Sequence, residues 1–399
     1  MKIQIDPSLA QGSVQVPPSK SMAHRLLICA GLSQGESVIE NIAFSQDILA
    51  TLDCLKALDV SVQIQGSTVT VQGNPNPKAQ GVLPCRESGS TLRFFVPLCL
   101  LSGGGRLTGS GRLMERPLSV YEDLFLKRNI SLTRTDGSIT VEGALQSGDF
   151  SLPGNISSQF LTGLLFALPL CAGESRIIST TPLESGSYLD LTLSALATFG
   201  ISVKRPDEQT FVIPGNQSYQ PQHVTVEGDE SNAAFLEALN VVGGSVSVEG
   251  RNPETLQGDR VFDSLFAQLS KGFCEISIAD CPDLAPILMT VAAMKHGCRM
   301  TDTRRLKIKE SDRGVVMAEE LAKFGADIMV GEDFIEIKKS PLHPPKSPLN
   351  GHNDHRVVMS MAVIGTQYGG IIDGAEAVAK SYPDFFEVLK KLKVRLEEV

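Results

Sequence analysis

Two short stretches of this chain hold residue types that could bind and transform small anions. Near the N-terminus, Pro17-Pro18-Ser19-Lys20-Ser21 leads into Met22-Ala23-His24-Arg25. Ser19 has the type and position of a helix N-cap. Lys20 and Ser21 would then lie on the first turn, with Arg25 one turn beyond Ser21 on the same face. Free backbone N–H groups, the helix dipole, an ammonium and a guanidinium would together favour a phosphate or a carboxylate. Taken alone, a solvated basic helix start is the simpler reading, and the spaced glycines of a nucleotide-binding loop are missing. The second stretch, Arg304-Arg305-Leu306-Lys307-Ile308-Lys309-Glu310-Ser311-Asp312-Arg313, mixes cations with two carboxylates ahead of an apolar helix. On a helical turn, Lys309 and Arg313 would share a face flanking Glu310. Such a group is either a salt-bridge network or an acid held ready for proton transfer.

Smaller signals lie at similar joins. Ser157-Ser158-Gln159 sets three neutral hydrogen-bonding side chains at a helix start, where they could cap the helix, bind a phosphate, or both. Asp283 follows Cys281-Pro282 and reads by default as an N-cap. Asn353-Asp354-His355-Arg356 and Lys380 in AVAKSYPDFF add further charge at loop-to-helix junctions.

These residues fall on a repeat. Units beginning near Pro18, Pro84, Pro153, Gly228, Pro282 and His352 each carry a polar or Gly/Pro turn, a small-residue apolar helix and a short strand. The period is roughly 55 to 75 residues, longer than that of common solenoids. Hairpin-like pairs such as VSVQIQGSTVTVQG, ISLTRTDGSITVEG and ISVKRPDEQTFVIPG lie between the helices, with a weaker echo in ADIMVGEDFIEIK. Three units per lobe make two similar lobes. The first is expected over residues 19–227, and the second over 1–18 with 228–399, joined by two chain crossings. Recurrence gives the weak signals weight, because equivalent helix starts can gather residues distant in sequence at one place.

Composition narrows the function. With 399 residues there is room for two substantial domains and a buried core. A formal charge of −9 and the absence of tryptophan argue against a polyanion binder or a base-stacking surface. The first sixteen residues alternate like a strand and lack the basic and apolar regions of a signal peptide. The eight cysteines show no CxxC spacing, so buried reduced thiols are expected rather than disulfides or zinc ligands.

The motifs PSKSxxHR, GxRxxERP, SSQFLTGLL, KxKESDR, NDHR and AKSYPDFF, in that order over nearly the full length, resemble the 3-phosphoshikimate 1-carboxyvinyltransferase (5-enolpyruvylshikimate-3-phosphate synthase) family. The resemblance implies an α/β fold of two similar lobes, each of three βαβαββ repeat units, the enolpyruvyl transferase fold of inside-out α/β barrel type. It also implies transfer of the enolpyruvyl group of phosphoenolpyruvate to the 5-hydroxyl of shikimate 3-phosphate, through a tetrahedral intermediate. By the same resemblance, Lys20, Ser21, Arg25, Ser157, Ser158, Gln159, Ser185, Asp283 and Lys309 hold shikimate 3-phosphate. Lys20, Gly89, Arg116, Gln159, Arg313, Arg356 and Lys380 hold phosphoenolpyruvate. Asp283 is the implied base toward the 5-hydroxyl and Glu310 the acid and base at the methylene carbon, with Lys20 assisting. No metal or organic cofactor is implied, and no nucleic-acid or membrane partner. The expected form is a cytoplasmic monomer that closes on its substrates.

The chain departs from the family pattern in places. Glu87 stands where many members have Asn, and a carboxylate there must be turned away or paired, with Arg93 as a candidate. Arg305 replaces an Asn of some members, and Ser185-Gly186-Ser187-Tyr188 lacks a Lys-Pro found before the Tyr elsewhere. The nearest rival reading is a UDP-N-acetylglucosamine enolpyruvyl transferase. Its members usually carry a Cys in the loop that here reads GSGRLMERP. A non-catalytic binding protein on the same fold, and an RNA-end processing enzyme on a related repeat, are more distant alternatives.

Overall fold

A computed structural model describes residues Met1–Val399. The chain divides into two compact units, Pro18–Glu227 and Met1–Pro17 with Gly228–Val399. Each is built of helices enclosed by small sheets, six sheets in all.

In the 18–227 unit the helices Lys20–Leu32, Gly89–Cys99 and Ser158–Ala167 are buried along nearly their whole length. A helix apolar on every side has no face to give to water and must lie inside. Their small residues allow close approach. A Cβ on Gly163 would stand 2.4 Å from the Tyr121 hydroxyl and 2.5 Å from the Arg93 carbonyl oxygen. The sheets repeat one pattern. Val82–Pro84 pairs parallel with Gly104–Thr108, which pairs antiparallel with Ser138–Glu142 and through it with Ser131–Thr135. In the first sheet the parallel place is filled from the far end of the unit, where His223–Thr225 lies beside Glu36–Glu40. Backbone bonds hold the two ends together, with Ser19 N donating to Glu227 O at 2.7 Å.

In the 228–399 unit, Cys274–Ser277, Gly297–Thr301, Phe334–Lys338 and Asp327–Val330 form the same four-stranded pattern. The N-terminal segment supplies two strands. Lys2–Ile5 lies between Gly370–Asp373 and Leu396–Glu398, and Gln11–Gln15 runs parallel to Ser245–Glu249. The buried helices are Glu230–Val241, Ala285–Met294 and His355–Tyr368.

The hairpins differ from their sequence ranking. ADIMVGEDFIEIK, the weaker echo, forms a full antiparallel pair from Asp327 to Lys338. ISVKRPDEQTFVIPG keeps one strand, Thr210–Ile213, and a single bridge from Lys204 to Val212. Pro206 cannot donate to a ladder, and Asp207 bends the turn by accepting from Gln209 N at 2.8 Å. No helix of the chain is long and apolar enough to cross a membrane.

Candidate active site

In the 18–227 unit, Ser19 caps the helix at Lys20 by accepting from Met22 N at 3.3 Å. Lys20 Nζ lies 2.8 Å from Asp47 Oδ2, at the start of the next helix, Gln46–Ala57. Arg25 is buried, and all three of its nitrogens donate within the protein. Nε reaches Thr192 Oγ1 at 2.9 Å, Nη1 the Ser21 carbonyl at 2.6 Å, and Nη2 the Tyr188 carbonyl at 2.8 Å. Burial lowers its pKa to about 10, which leaves it charged. Arg25 therefore ties its own helix to Gly186–Thr198, with an anion-binding role resting on its remaining Nη hydrogens. Ser185, just before that helix, is buried in the left-handed region at φ 58°. A non-glycine residue is uncommon there.

Ser157 caps Ser158–Ala167 by accepting from Gln159 N at 3.3 Å. Gln159 then spans to the helix Gly89–Cys99, accepting from Arg93 Nη1 at 2.7 Å and donating to Ser90 Oγ at 3.0 Å. Arg93 Nη2 donates to the Pro117 carbonyl at 3.0 Å. Arg116 lies directly over Gly89, where an added Cβ would stand 2.4 Å from its Nη1. Gly89, Ser90, Arg93, Arg116 and Gln159 are thus one group. The Glu87 carboxylate lies over Gly111, which leaves room for it; a Cβ on Gly111 would be 2.8 Å from Glu87 Oε2.

In the 228–399 unit the sequence-predicted residues meet closely. Asp283 lies in the turn Pro282–Leu284 ahead of Ala285–Met294 and does not cap that helix. Its Oδ1 accepts from Lys309 Nζ at 3.1 Å and Arg313 Nη1 at 2.8 Å, and its Oδ2 from Arg356 Nη2 at 3.3 Å. Burial pushes the Asp283 carboxyl up. Arg356, Lys309 and Arg313 outweigh that and hold it well below the usual carboxylate range. Burial lowers the Lys309 ammonium despite Asp283. Burial also opposes charge on Arg313, yet Asp354, Glu310 and Asp283 keep its pKa above the ordinary arginine value.

Lys309 and Arg313 do not share a helical face. Asp312 caps the helix that begins at Arg313, accepting from Val315 N at 3.3 Å, whereas Lys309 ends the preceding turn. They converge on one oxygen of Asp283 from either side of the bend at residues 309–311. Arg313 Nη2 also holds Glu310 Oε2 at 2.6 Å. Lys380 Nζ donates to the Asn353 carbonyl at 2.6 Å, which brings it to the residue before Asp354. Arg305 is buried and donates from Nη2 to the Ala279 carbonyl.

Sequence reasoning marked Asp354 only as charge beside Arg356, and Asp47 not at all. The readable signal for Asp354 was its acidic side chain at a helix start; its partner Arg313 is 41 residues away.

The family model for EPSP synthase (3-phosphoshikimate 1-carboxyvinyltransferase) matches residues 6–270 and 261–389. A 3-phosphoshikimate 1-carboxyvinyltransferase of Clostridium perfringens is 40% identical, with 98% of each chain covered. One of Clostridium kluyveri is 38% identical over 99% of this chain and 98% of its own. Among solved structures, an EPSP synthase of Acinetobacter baumannii superposes with a TM-score of 0.79 at 22% identity, covering all of both chains. The enolpyruvyl transferase NikO of Streptomyces tendae gives 0.81 at 15% identity, covering 100% of this chain and 98% of that one. The two structures speak to the fold, and the family model and the Clostridium relatives to kinship: the chain belongs to the EPSP synthase (3-phosphoshikimate 1-carboxyvinyltransferase) family.

Proposed function

We propose that this protein transfers the enolpyruvyl group of phosphoenolpyruvate to the 5-hydroxyl of shikimate 3-phosphate and releases phosphate. The observation that carries the reading is the grip of Arg313 on two carboxylates, Asp283 at 2.8 Å and Glu310 at 2.6 Å. Addition requires a base for the hydroxyl proton and an acid for the methylene carbon, and elimination reverses the proton at that carbon. Asp283, held ionised by three cations, takes the hydroxyl proton as the oxygen bonds to C2 of phosphoenolpyruvate. Glu310 delivers a proton to C3, giving the tetrahedral intermediate. Loss of a C3 proton back to Glu310 then expels phosphate from C2, which takes up the proton held by Asp283, and leaves the enol ether.

The residue types suit the substrates, since each carries a phosphate and shikimate and phosphoenolpyruvate each carry a carboxylate. Arg313 and Arg356 offer planar donor pairs to such oxygens. They are occupied by Asp283 here, so an incoming anion must share or displace those pairs. Arg116 over Gly89, with Gln159 and Lys380, completes the phosphoenolpyruvate set. Lys20, Ser21, Arg25, Ser157, Ser158, Gln159, Ser185 and Lys309 serve shikimate 3-phosphate together with Asp283. Lys20, beside Asp47, assists proton transfer.

The test is phosphate release from phosphoenolpyruvate with shikimate 3-phosphate, set against UDP-N-acetylglucosamine as acceptor. Release with shikimate 3-phosphate alone is expected; release with the nucleotide sugar alone overturns the acceptor, and release with neither overturns the activity. The protein is taken to act as a cytoplasmic monomer, for which sedimentation should give a mass near 42.8 kDa.

A further inference from the structure

Asp354 is fully buried and caps the helix His355–Tyr368. Its Oδ2 accepts from Arg313 Nε at 2.9 Å and from Ser311 Oγ at 3.0 Å. Its Oδ1 accepts from Arg356 N at 3.0 Å and from Arg313 Nη2 at 3.3 Å. Four donors thus fill one carboxylate, and two of them are the Nε and Nη2 edge of a single guanidinium.

A guanidinium is planar and rigid, so fixing one edge fixes the other donors. Those other donors are the Arg313 N–H groups that hold Asp283 and Glu310. The spacing between the two carboxylates is therefore set by a group that touches neither of them. The same Asp354 oxygen also holds the backbone from which Arg356 projects. We propose that Asp354 is a positioning residue: through Arg313 it fixes the separation of Asp283 and Glu310, and through the helix start it fixes Arg356. The inference rests on the transferase reading above and deepens it.

Charge gives a second reason for a carboxylate at this position. Asp283, Glu310 and Asp354 are ion-paired with Lys309, Arg313 and Arg356 within one connected group. Arg313, only 1% exposed, relies on these carboxylates because water cannot take their place.

Helix capping and fork anchoring can be separated. Asn and Ser both cap helices well. Asp354→Asn keeps an acceptor for Arg356 N but turns an amide with no charge toward Arg313. Asp354→Ser keeps the cap and removes the carboxylate that anchors the Nε edge of Arg313.

The experiment is steady-state kinetics on both variants, with thermal unfolding of each. A displacement of catalytic groups by about 1 Å can cost about 100-fold in rate. The expected result is a kcat loss of about 10- to 100-fold and a raised KM for phosphoenolpyruvate. The KM for shikimate 3-phosphate should stay within about twofold, with the unfolding midpoint near wild type in at least one variant. A purely structural role would lower the midpoint and the active fraction without splitting the two KM values. Wild-type kinetics in a folded variant would overturn the proposal, as would failure of both cap-competent variants to fold. If the wild-type protein makes no phosphate with shikimate 3-phosphate, the transferase reading itself fails, which is a different result.

Discussion

The two units use the same device, buried helices whose starts are tied together, but they tie them with different chemistry. In the 18–227 unit the caps are Ser19, Ser88 and Ser157, and the links are mostly hydroxyls. His24 Nδ1, Thr51 Oγ1, Thr91 Oγ1 and Ser88 Oγ form a buried run with steps of 2.7, 2.8 and 2.8 Å. A second run joins Arg25, Thr192 and Thr162. In the 228–399 unit Asp229 and Asp354 cap two of the buried helices, Ala285–Met294 has no side-chain cap, and the links around Asp283 and Asp354 are ion pairs. Hydroxyl runs hold geometry without titrating near neutral pH, whereas ion pairs also set protonation. His24 fits the neutral side. Burial, with Lys20 and Arg25 nearby, holds its pKa well below the usual histidine value. With Thr91 donating to Ser88, Thr51 must donate to Thr91 and His24 to Thr51, so the run has one direction. On the proposed reading, the 18–227 unit frames its site mainly with neutral hydroxyls, and the 228–399 unit carries the two carboxylates assigned to proton transfer.

The strongest way to break this division is to remove the carboxylates of the second unit. Asp283→Asn and Glu310→Gln should each lower kcat by about 100- to 10,000-fold, the range expected for a lost general acid or base. Near-wild-type kcat in either variant, measured by phosphate release, would remove that residue from proton transfer. The folds should survive, because an amide retains much of the hydrogen bonding to Lys309 or Arg313.

The complementary test lies in the first unit. Thr51→Val keeps the shape of a buried side chain while removing the hydroxyl between His24 and Thr91. Leaving buried polar groups without a partner costs about 1–3 kcal/mol, so the denaturation midpoint should fall by a corresponding amount. The kcat should remain within a few-fold of wild type. A collapse of kcat with unchanged stability would show that this hydroxyl run takes part in proton transfer, and the division between the units would fail.

Much of this scheme was legible in the sequence, and the missing parts have a common cause. Ser19, Lys20 and the Ser157 trio could be placed because caps and first turns are local properties. The repeat predicted where helix starts recur, and so where charges gather. Partners across the repeat were not local. Lys20 and Asp47 are 27 residues apart, and Asp283 and Arg356 are 73. Asp283 looked like a cap and is an ion-pair centre, because a cap is judged from neighbours while its cations come from two other segments. Hairpin strength was misread for a related reason. Alternation is visible in sequence, but the effect of Pro206 and Asp207 depends on where the ladder's bonds would fall.

The smallest effect concerns a carboxylate in the charged unit whose ionisation burial opposes. Asp259 is buried and bonded to Ser231 Oγ. Burial raises its pKa to about 6, with Asp283 adding to the rise and Arg356 opposing it. An unfolded aspartate titrates near about 3.9, so between about pH 4 and 6 the folded protein binds more protons at this site than the unfolded chain. The contribution of Asp259 to stability therefore falls as pH rises through that window and is constant above it. Asp283 behaves oppositely: its depressed pKa gives stability that is present above the unfolded value and lost only as pH falls through the folded one. The two windows do not overlap, which lets Asp259 be measured separately. Asp259→Asn keeps an acceptor for Ser231 and cannot ionise. Its denaturation midpoint, relative to wild type, should rise between pH 4.5 and pH 7. A constant difference across that range would mean that Asp259 is ionised throughout, and that the surrounding cations govern this carboxylate as they govern Asp283.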